Sequence, residues 1–306
     1  MTLARSMLLR ASRSPWLAEQ FRRRAFARRA VRRFMPGESL LDALDASAEL
    51  AKASLGVVLT QLGEQVRNSA EAEDVRDHYL NVFDQVRDRF LPAHVSVKLT
   101  HLGLDVDRTA CLRHVLALAA KARQEHCFLW IDMEESRYVD ATLDVYRRVL
   151  AEGPGVGVCL QAYLRRTPQD LAALLPLSPA IRLVKGAYSE PADVALPHKP
   201  DVDAQYATLA VQLLEAAAAG RATPVFGTHD LRLIDRIREQ ATAKSADGRY
   251  EVHMLYGIRS EAQRRLAGLG VKVRVLISYG SHWFAWYMRR LAERPANVWF
   301  VVRSLF

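Results

Sequence analysis

The sequence predicts an α/β fold, a (β/α)8 TIM-like barrel preceded by helices, and three observations carry that expectation. Beyond Pro36-Gly37, short apolar, β-branched runs recur, each followed by a stretch rich in alanine, leucine, arginine and glutamate. Strands that alternate with helices call for a parallel sheet. Eight such repeats fall within residues 55–277, close to the roughly 250 residues typical of the barrel. The 306 residues are 50% hydrophobic and 25% charged, enough for a sizeable core and too apolar for general disorder. An open doubly wound sheet, the rival architecture, would carry a glycine-rich phosphate loop after its first strand. Leu59-Thr-Gln-Leu-Gly-Glu-Gln65 is not one.

The expected strands are, in order, 55–60, 95–100, 128–133, 156–162, 181–185, 224–228, 251–255 and 272–277. Helical stretches between them include 110–123, 139–150, 204–219 and 261–269. Residues 1–53 are expected to form an N-terminal helical arm and 54–306 the barrel.

Charge is concentrated in that arm. Residues 1–35 hold ten arginines and one acid, Glu19, which equals the net charge of +9 for the whole chain. The remainder is neutral, which argues against a polyanion-binding face and against a nucleic-acid partner. Leu17, Phe21, Phe26 and Val31 interrupt the arginines at roughly helical intervals. Three readings of the arm stand: a helix packed on the barrel, a peripheral contact with anionic lipid through Arg22-Arg23-Arg24 and Arg28-Arg29, and a cleaved presequence. No run of 18 apolar residues occurs, so no transmembrane helix is expected. Cys111, Cys127 and Cys159 fit neither a zinc knuckle nor a disulfide framework, which points to a reducing compartment. The expected location is cytoplasmic, and peripheral at the inner face of the plasma membrane if the arm meets lipid.

Active sites of such barrels are built at the carboxyl ends of the strands. Period-two alternation turns Val95, Val97 and Leu99 toward the helices, so Ser96 and Lys98 face the interior. Asp132 ends the third strand on the face of Phe128 and Trp130. The fourth strand ends at Gln161, the fifth contains Arg182 and Lys185, and the sixth ends in Thr228-His229-Asp230. One charged residue in a strand is often a structural ion pair. Five consecutive strands ending in polar groups cost several kcal/mol unless those groups pair with one another or with a ligand. Downstream of the eighth strand, Arg289 and Arg290 precede Glu293. Two guanidinium forks suit a carboxylate, but adjacent helical residues point about 100° apart. Both serve one ligand only if that helix end sits over the barrel mouth.

At these residues the chain resembles proline dehydrogenase, in its stand-alone bacterial form. The resemblance rests on Ser96-Val-Lys-Leu-Thr100, Ile131-Asp-Met-Glu-Glu135, Leu160-Gln-Ala-Tyr163, Arg182-Leu-Val-Lys-Gly-Ala-Tyr188, Thr228-His-Asp230, Met254-Leu-Tyr-Gly257 and Tyr279-Gly280 leading to Arg289-Arg290-x-x-Glu293. It implies a barrel whose last helix lies above the mouth. It also implies oxidation of L-proline to Δ1-pyrroline-5-carboxylate by hydride transfer to FAD. A membrane quinone would take the electrons, and a separate pyrroline-5-carboxylate dehydrogenase would act next.

By the same resemblance, Lys98, Arg289 and Arg290 hold the substrate carboxylate, and Tyr188, Leu255 and Tyr279 enclose the ring. Asp132 lies beside the reacting end. Met133, Gln161, Arg182, Lys185, Gly186, Ala187, Thr228 and His229 hold FAD, with Arg182 near the flavin N5. Glu64 pairs with one substrate arginine to close the site. Two residues depart from the pattern: Gly227 stands where alanine is usual, and Ser189 where larger side chains are common. Among rival chemistries, an aldolase would use Lys98 or Lys185 as a Schiff-base amine. A metal-dependent hydrolase finds no H-x-H or H-x-x-x-H pair among the nine histidines.

Overall fold

In the computed structural model, residues 31–284, 287 and 288 are described. Eight parallel strands close into a barrel in chain order, β1 (Gly56–Gln61), β2 (Ala93–Val97), β3 (Leu129–Ile131), β4 (Val156–Gln161), β5 (Ala180–Val184), β6 (Thr223–Gly227), β7 (Glu251–Leu255) and β8 (Lys272–Tyr279), with β8 pairing back on β1. Helices α1 (Leu40–Ala51), α2 (Ser69–Asp88), α3 (Arg108–Gln124), α4 (Val139–Ala151), α5 (Thr167–Leu174), α6 (Lys199–Ala218), α7 (Leu231–Ala243) and α8 (Ser260–Gly268) lie outside it. The expected barrel is therefore present.

Local chemistry starts the helices where the loops end. Ser39 and Asp42 form a reciprocal capping box before α1. Asp107 accepts the N–H groups of Thr109 and Ala110 at the head of α3. Pro168 and Pro200 sit in the first turns of α5 and α6, where a missing N–H costs nothing. The buried Ala43, Leu44 and Ser47 of α1 face the barrel wall, and Ala43 and Leu44 belong to the same apolar cluster as the outward faces of the strands.

Inside the barrel a second, smaller apolar cluster gathers Val58, Trp130, Ala180 and Val225. Gly157 makes room for it, since a Cβ there would stand 2.4 Å from the Trp130 ring. Below this layer the floor is polar. Arg274 donates to Glu251 at 2.8 Å, His253 meets the same carboxylate at 3.2 Å, and Trp130 donates to His94 Nδ1 at 3.2 Å. His94, Glu251 and His253 thus stand close enough to share an ion although no short histidine spacing announces it. The Arg274 guanidinium already supplies the positive charge to Glu251. His253 reaches past this layer to line the cavity at the mouth.

At the mouth, residues 31–38 meet the segment that follows β8. Trp283 donates to Glu38 at 2.8 Å, and the rings of Phe34 and Tyr287 lie 6.1 Å apart. The backbone of Arg33 runs across Gly257, which adopts φ +71°. Arg289 and Arg290, the placement of the last helix over the mouth, and residues 1–30 of the arm lie outside the described residues.

Candidate active site

A cavity of about 1250 Å³ opens at the carboxyl ends of the strands and extends over the β5, β6 and β7 side. It exceeds the roughly 300–1,000 Å³ that a drug-sized ligand fills. Lys98, Asp132, Met133, Gln161, Arg182, Lys185, Gly186, Ala187, Tyr188, Thr228, His229 and Leu255 all line it.

Its centre is Arg182, whose side chain is 3% exposed. Alternation along β5 aims it inward from mid-strand, over the Trp130 ring, with the guanidinium carbon 5.0 Å from the ring centre. Nη2 donates to Asp132 and, at 2.8 Å, to Ser96; Nε reaches the Cys159 sulfur at 3.4 Å. Asp132 also accepts from Ser96 Oγ at 3.0 Å. A buried arginine is tolerable only when paired in this way. The pairing is incomplete: Arg182 Nη1 is buried without a hydrogen-bond partner among the described residues, and so is Gln161 Oε1. Gln161 spends its amide on the Met133 carbonyl at 3.3 Å, which turns the oxygen free.

On the far side of the cavity Lys185 bridges Asp203 at 2.6 Å and Asp230 at 3.0 Å. Burial alone would raise both carboxyls, yet Lys185 holds them below the ordinary range, aided by Lys199. Asp230 also caps α7. An amine engaged by two carboxylates is not free to attack a carbonyl, which weighs against the aldolase reading.

Two glycines bring backbone close to this wall. Gly186 has φ +114°, and a Cβ there would stand 2.1 Å from the Tyr163 ring; at Gly227 it would meet Val184 at 2.8 Å. His229 Nε2 accepts the Leu255 N–H at 2.8 Å, so the imidazole takes the place of a strand partner where β6 and β7 part.

Two expected residues are not in the lining. Alternation along β8 sends Ser278 into the cavity and Tyr279 outward, where its hydroxyl meets His78 Nε2 of α2 at 2.8 Å. Burial lowers the His78 pKa and raises that of Tyr279, so this pair is neutral. Glu64 stands on the loop after β1, its carboxylate 4.0 Å from Lys98 Nζ. Sequence reasoning missed His78, Cys159, Asp203 and the roles of Asp230 and Glu134. Cys159 was legible from alternation along β4. Nothing in α2 or α6 marks His78 or Asp203 before the barrel is assembled.

With this geometry in view, the comparisons decide the family. The proline dehydrogenase family model matches residues 43–303. The chain belongs to the proline dehydrogenase family. Within it, the chain is 38% identical over 279 residues to proline dehydrogenase of Deinococcus radiodurans, covering 89% of each chain. It is 36% identical over 280 residues to proline dehydrogenase 1 of Bacillus subtilis subsp. natto, covering 91% of each. Among solved structures, proline utilization A from Bdellovibrio bacteriovorus, inactivated by N-propargylglycine, superposes with a TM-score of 0.81 at 23% identity. That match covers 87% of this chain and 32% of the other, so this chain spans about a third of that protein's length and shares its fold. The proline dehydrogenase barrel is thus the one built here, and its cavity is where proline oxidation is to be sought.

Proposed function

We propose that this proline dehydrogenase oxidises L-proline to Δ1-pyrroline-5-carboxylate with FAD as its cofactor. One observation supports the reading above others. Lys98, Asp132 and Arg182 converge on a single cavity in which Arg182 Nη1 and Gln161 Oε1 are buried without partners among the described residues. Buried polar atoms of that kind are ordinarily satisfied, so a polar ligand belongs there.

The residues suit FAD. Arg182 and Gln161 offer a free donor and a free acceptor, Gly186 and Gly227 present open backbone, and the cavity runs on to Lys185, Thr228 and His229 beyond any space proline needs. Met133 and Ala187 complete that wall. When bound, FAD supplies the two-electron acceptor for hydride leaving the ring carbon next to nitrogen.

The chain does the rest. Lys98, together with Arg289 and Arg290, holds the substrate carboxylate. That cationic surround favours loss of the ammonium proton, so that the nitrogen lone pair assists the departing hydride. Tyr188 and Leu255 flank the ring, and Asp132 fixes Arg182 beside the reacting end. A fixed guanidinium there stabilises negative charge as it develops.

Electrons then pass to a membrane quinone, and a separate pyrroline-5-carboxylate dehydrogenase consumes the product. No described helix is long and apolar enough to cross a membrane, and delivery of electrons to a membrane quinone calls for contact with the bilayer. The ten arginines of residues 1–35 suit that contact. Salt-sensitive sedimentation with anionic vesicles, lost when residues 1–35 are removed, tests the arm.

The reaction itself is tested by supplying a soluble quinone and trapping the product with borodeuteride. Reduction of the expected imine returns proline with deuterium on the ring carbon that is bonded to nitrogen and does not bear the carboxylate. Deuterium at the carboxylate-bearing carbon, or no imine, contradicts the proposal.

A further inference from the structure

Glu134 is a buried carboxyl to which the reaction above gives no task. It lies two residues beyond Asp132 and is 4% exposed. Its Oε1 accepts the Thr100 N–H at 3.0 Å, and its Oε2 accepts the Thr100 hydroxyl at 2.6 Å. Thr100 in turn accepts from the loop after β1. The Gln65 N–H reaches its Oγ1, and the Val66 N–H reaches its carbonyl, each at 3.4 Å.

Thr100 follows Lys98 by two residues, and Gln65 follows Glu64 directly. One carboxylate therefore ties together the end of β3, the turn that carries Lys98 and the loop that carries Glu64. Among the described residues no cation lies against it in a direct ion pair, and burial pushes its pKa up to about 7 against the Thr100 hydrogen bonds and the more distant Lys98, with Glu64 raising it further. Cys111 of α3 and Tyr138, before α4, are the other titratable groups that feel it. A group so costly to bury is kept where function needs it.

We propose that Glu134 is a positioning residue for the substrate site: through Thr100 it sets the position of Lys98 and holds the Glu64 loop at the barrel mouth. This rests on the reading of Lys98 and Glu64 as substrate-site groups, and the test separates the two. Glu134→Ala removes both acceptors. Glu134→Gln keeps both contacts, its carbonyl accepting the Thr100 N–H and its amide donating to the hydroxyl. Thr100→Val and Thr100→Ser form the matching pair.

In the full-length holoenzyme, Glu134→Ala and Thr100→Val should each raise the KM for proline about tenfold with kcat little changed, as loss of a buried hydrogen bond would. The double variant should be no worse than either single one, because both cut one chain of contacts. Glu134→Gln and Thr100→Ser should stay near the native KM. Amide exchange at Gln65 and Val66 should quicken in Glu134→Ala and Thr100→Val and not in the conservative pair.

Unchanged KM and exchange in folded Glu134→Ala, or effects that multiply in the double variant, would overturn the proposal. Should Glu134→Ala fail to fold, the Thr100 pair decides alone. A native protein inert toward proline would sink the functional reading, while the exchange comparison would still decide whether Glu134 holds the loop.

Discussion

Arg182 and Asp132 form an ion pair across the barrel mouth, from the middle of β5 to the residue just after β3. Removing Asp132 leaves the Arg182 guanidinium, 3% exposed, buried without its counter-charge. Asp132→Ala should therefore cost up to about 3–5 kcal/mol of stability, the usual range for breaking a buried pair. Arg182→Met combined with Asp132→Ala should recover part of that loss. Urea unfolding of the two single variants and the double variant checks this; strictly additive losses would mean that the pair does not couple.

This pair shows what the sequence made legible. Period-two alternation put Ser96 and Lys98 on an inward face and Asp132 on the face of Trp130, with Arg182 placed only within the fifth strand, and that suffices because a closed barrel has only one interior. The ladder ends were less legible. The second strand was expected over 95–100 and pairs over Ala93–Val97, because the chain turns at Lys98, with the Leu102 N–H bonded to the Lys98 carbonyl. Leu99 and Thr100 stay buried in that turn, and burial is what alternation reports. The His78–Tyr279 contact spans 201 residues, and no local pattern encodes a contact of that kind.

Gly186 gives the second prediction. Its φ of +114° is strained for any residue with a Cβ, and the added carbon would stand 2.1 Å from the Tyr163 ring. Gly186→Ala should lower the flavin bound per chain at least severalfold while the barrel stays folded by circular dichroism. Full flavin content in that variant would place the cofactor wall elsewhere.

Gly257 gives the third. An alanine there would set its Cβ 1.6 Å from the Arg33 carbonyl oxygen at φ +71°, and a left-handed residue with a side chain costs about 1–2 kcal/mol before any clash. Gly257→Ala should loosen residues 31–38 from the mouth and speed their proteolytic cleavage. Cleavage at the native rate would mean that this close approach holds nothing in place.

Acid sensitivity gives the fourth. Burial, aided by Lys98, depresses His101 to about 3, and burial depresses His253 to about 4 despite Glu251. Both are neutral in the folded state while the unfolded chain binds protons from about pH 6.5 downward. The unfolded state thus gains protons first, and stability falls as pH drops from 6.5 toward 4. Glu134, raised to about 7, acts in the opposite direction over the same window. His78 and His94, also lowered by burial, act with these two histidines, and together they outweigh the one acid and leave a net loss. Denaturant midpoints between pH 7 and 4 check this, and His101→Gln should flatten the slope. A stability that rises toward pH 4 would contradict it.

In the proposed reaction proline delivers electrons to a flavin at the Arg182–Asp132 mouth. The measurement that tests it most directly is the visible spectrum of the purified, flavin-loaded protein before and after anaerobic addition of L-proline. Loss of the yellow oxidised-flavin band on mixing, and its return with quinone, is the predicted result. A band that persists in excess proline would contradict the account.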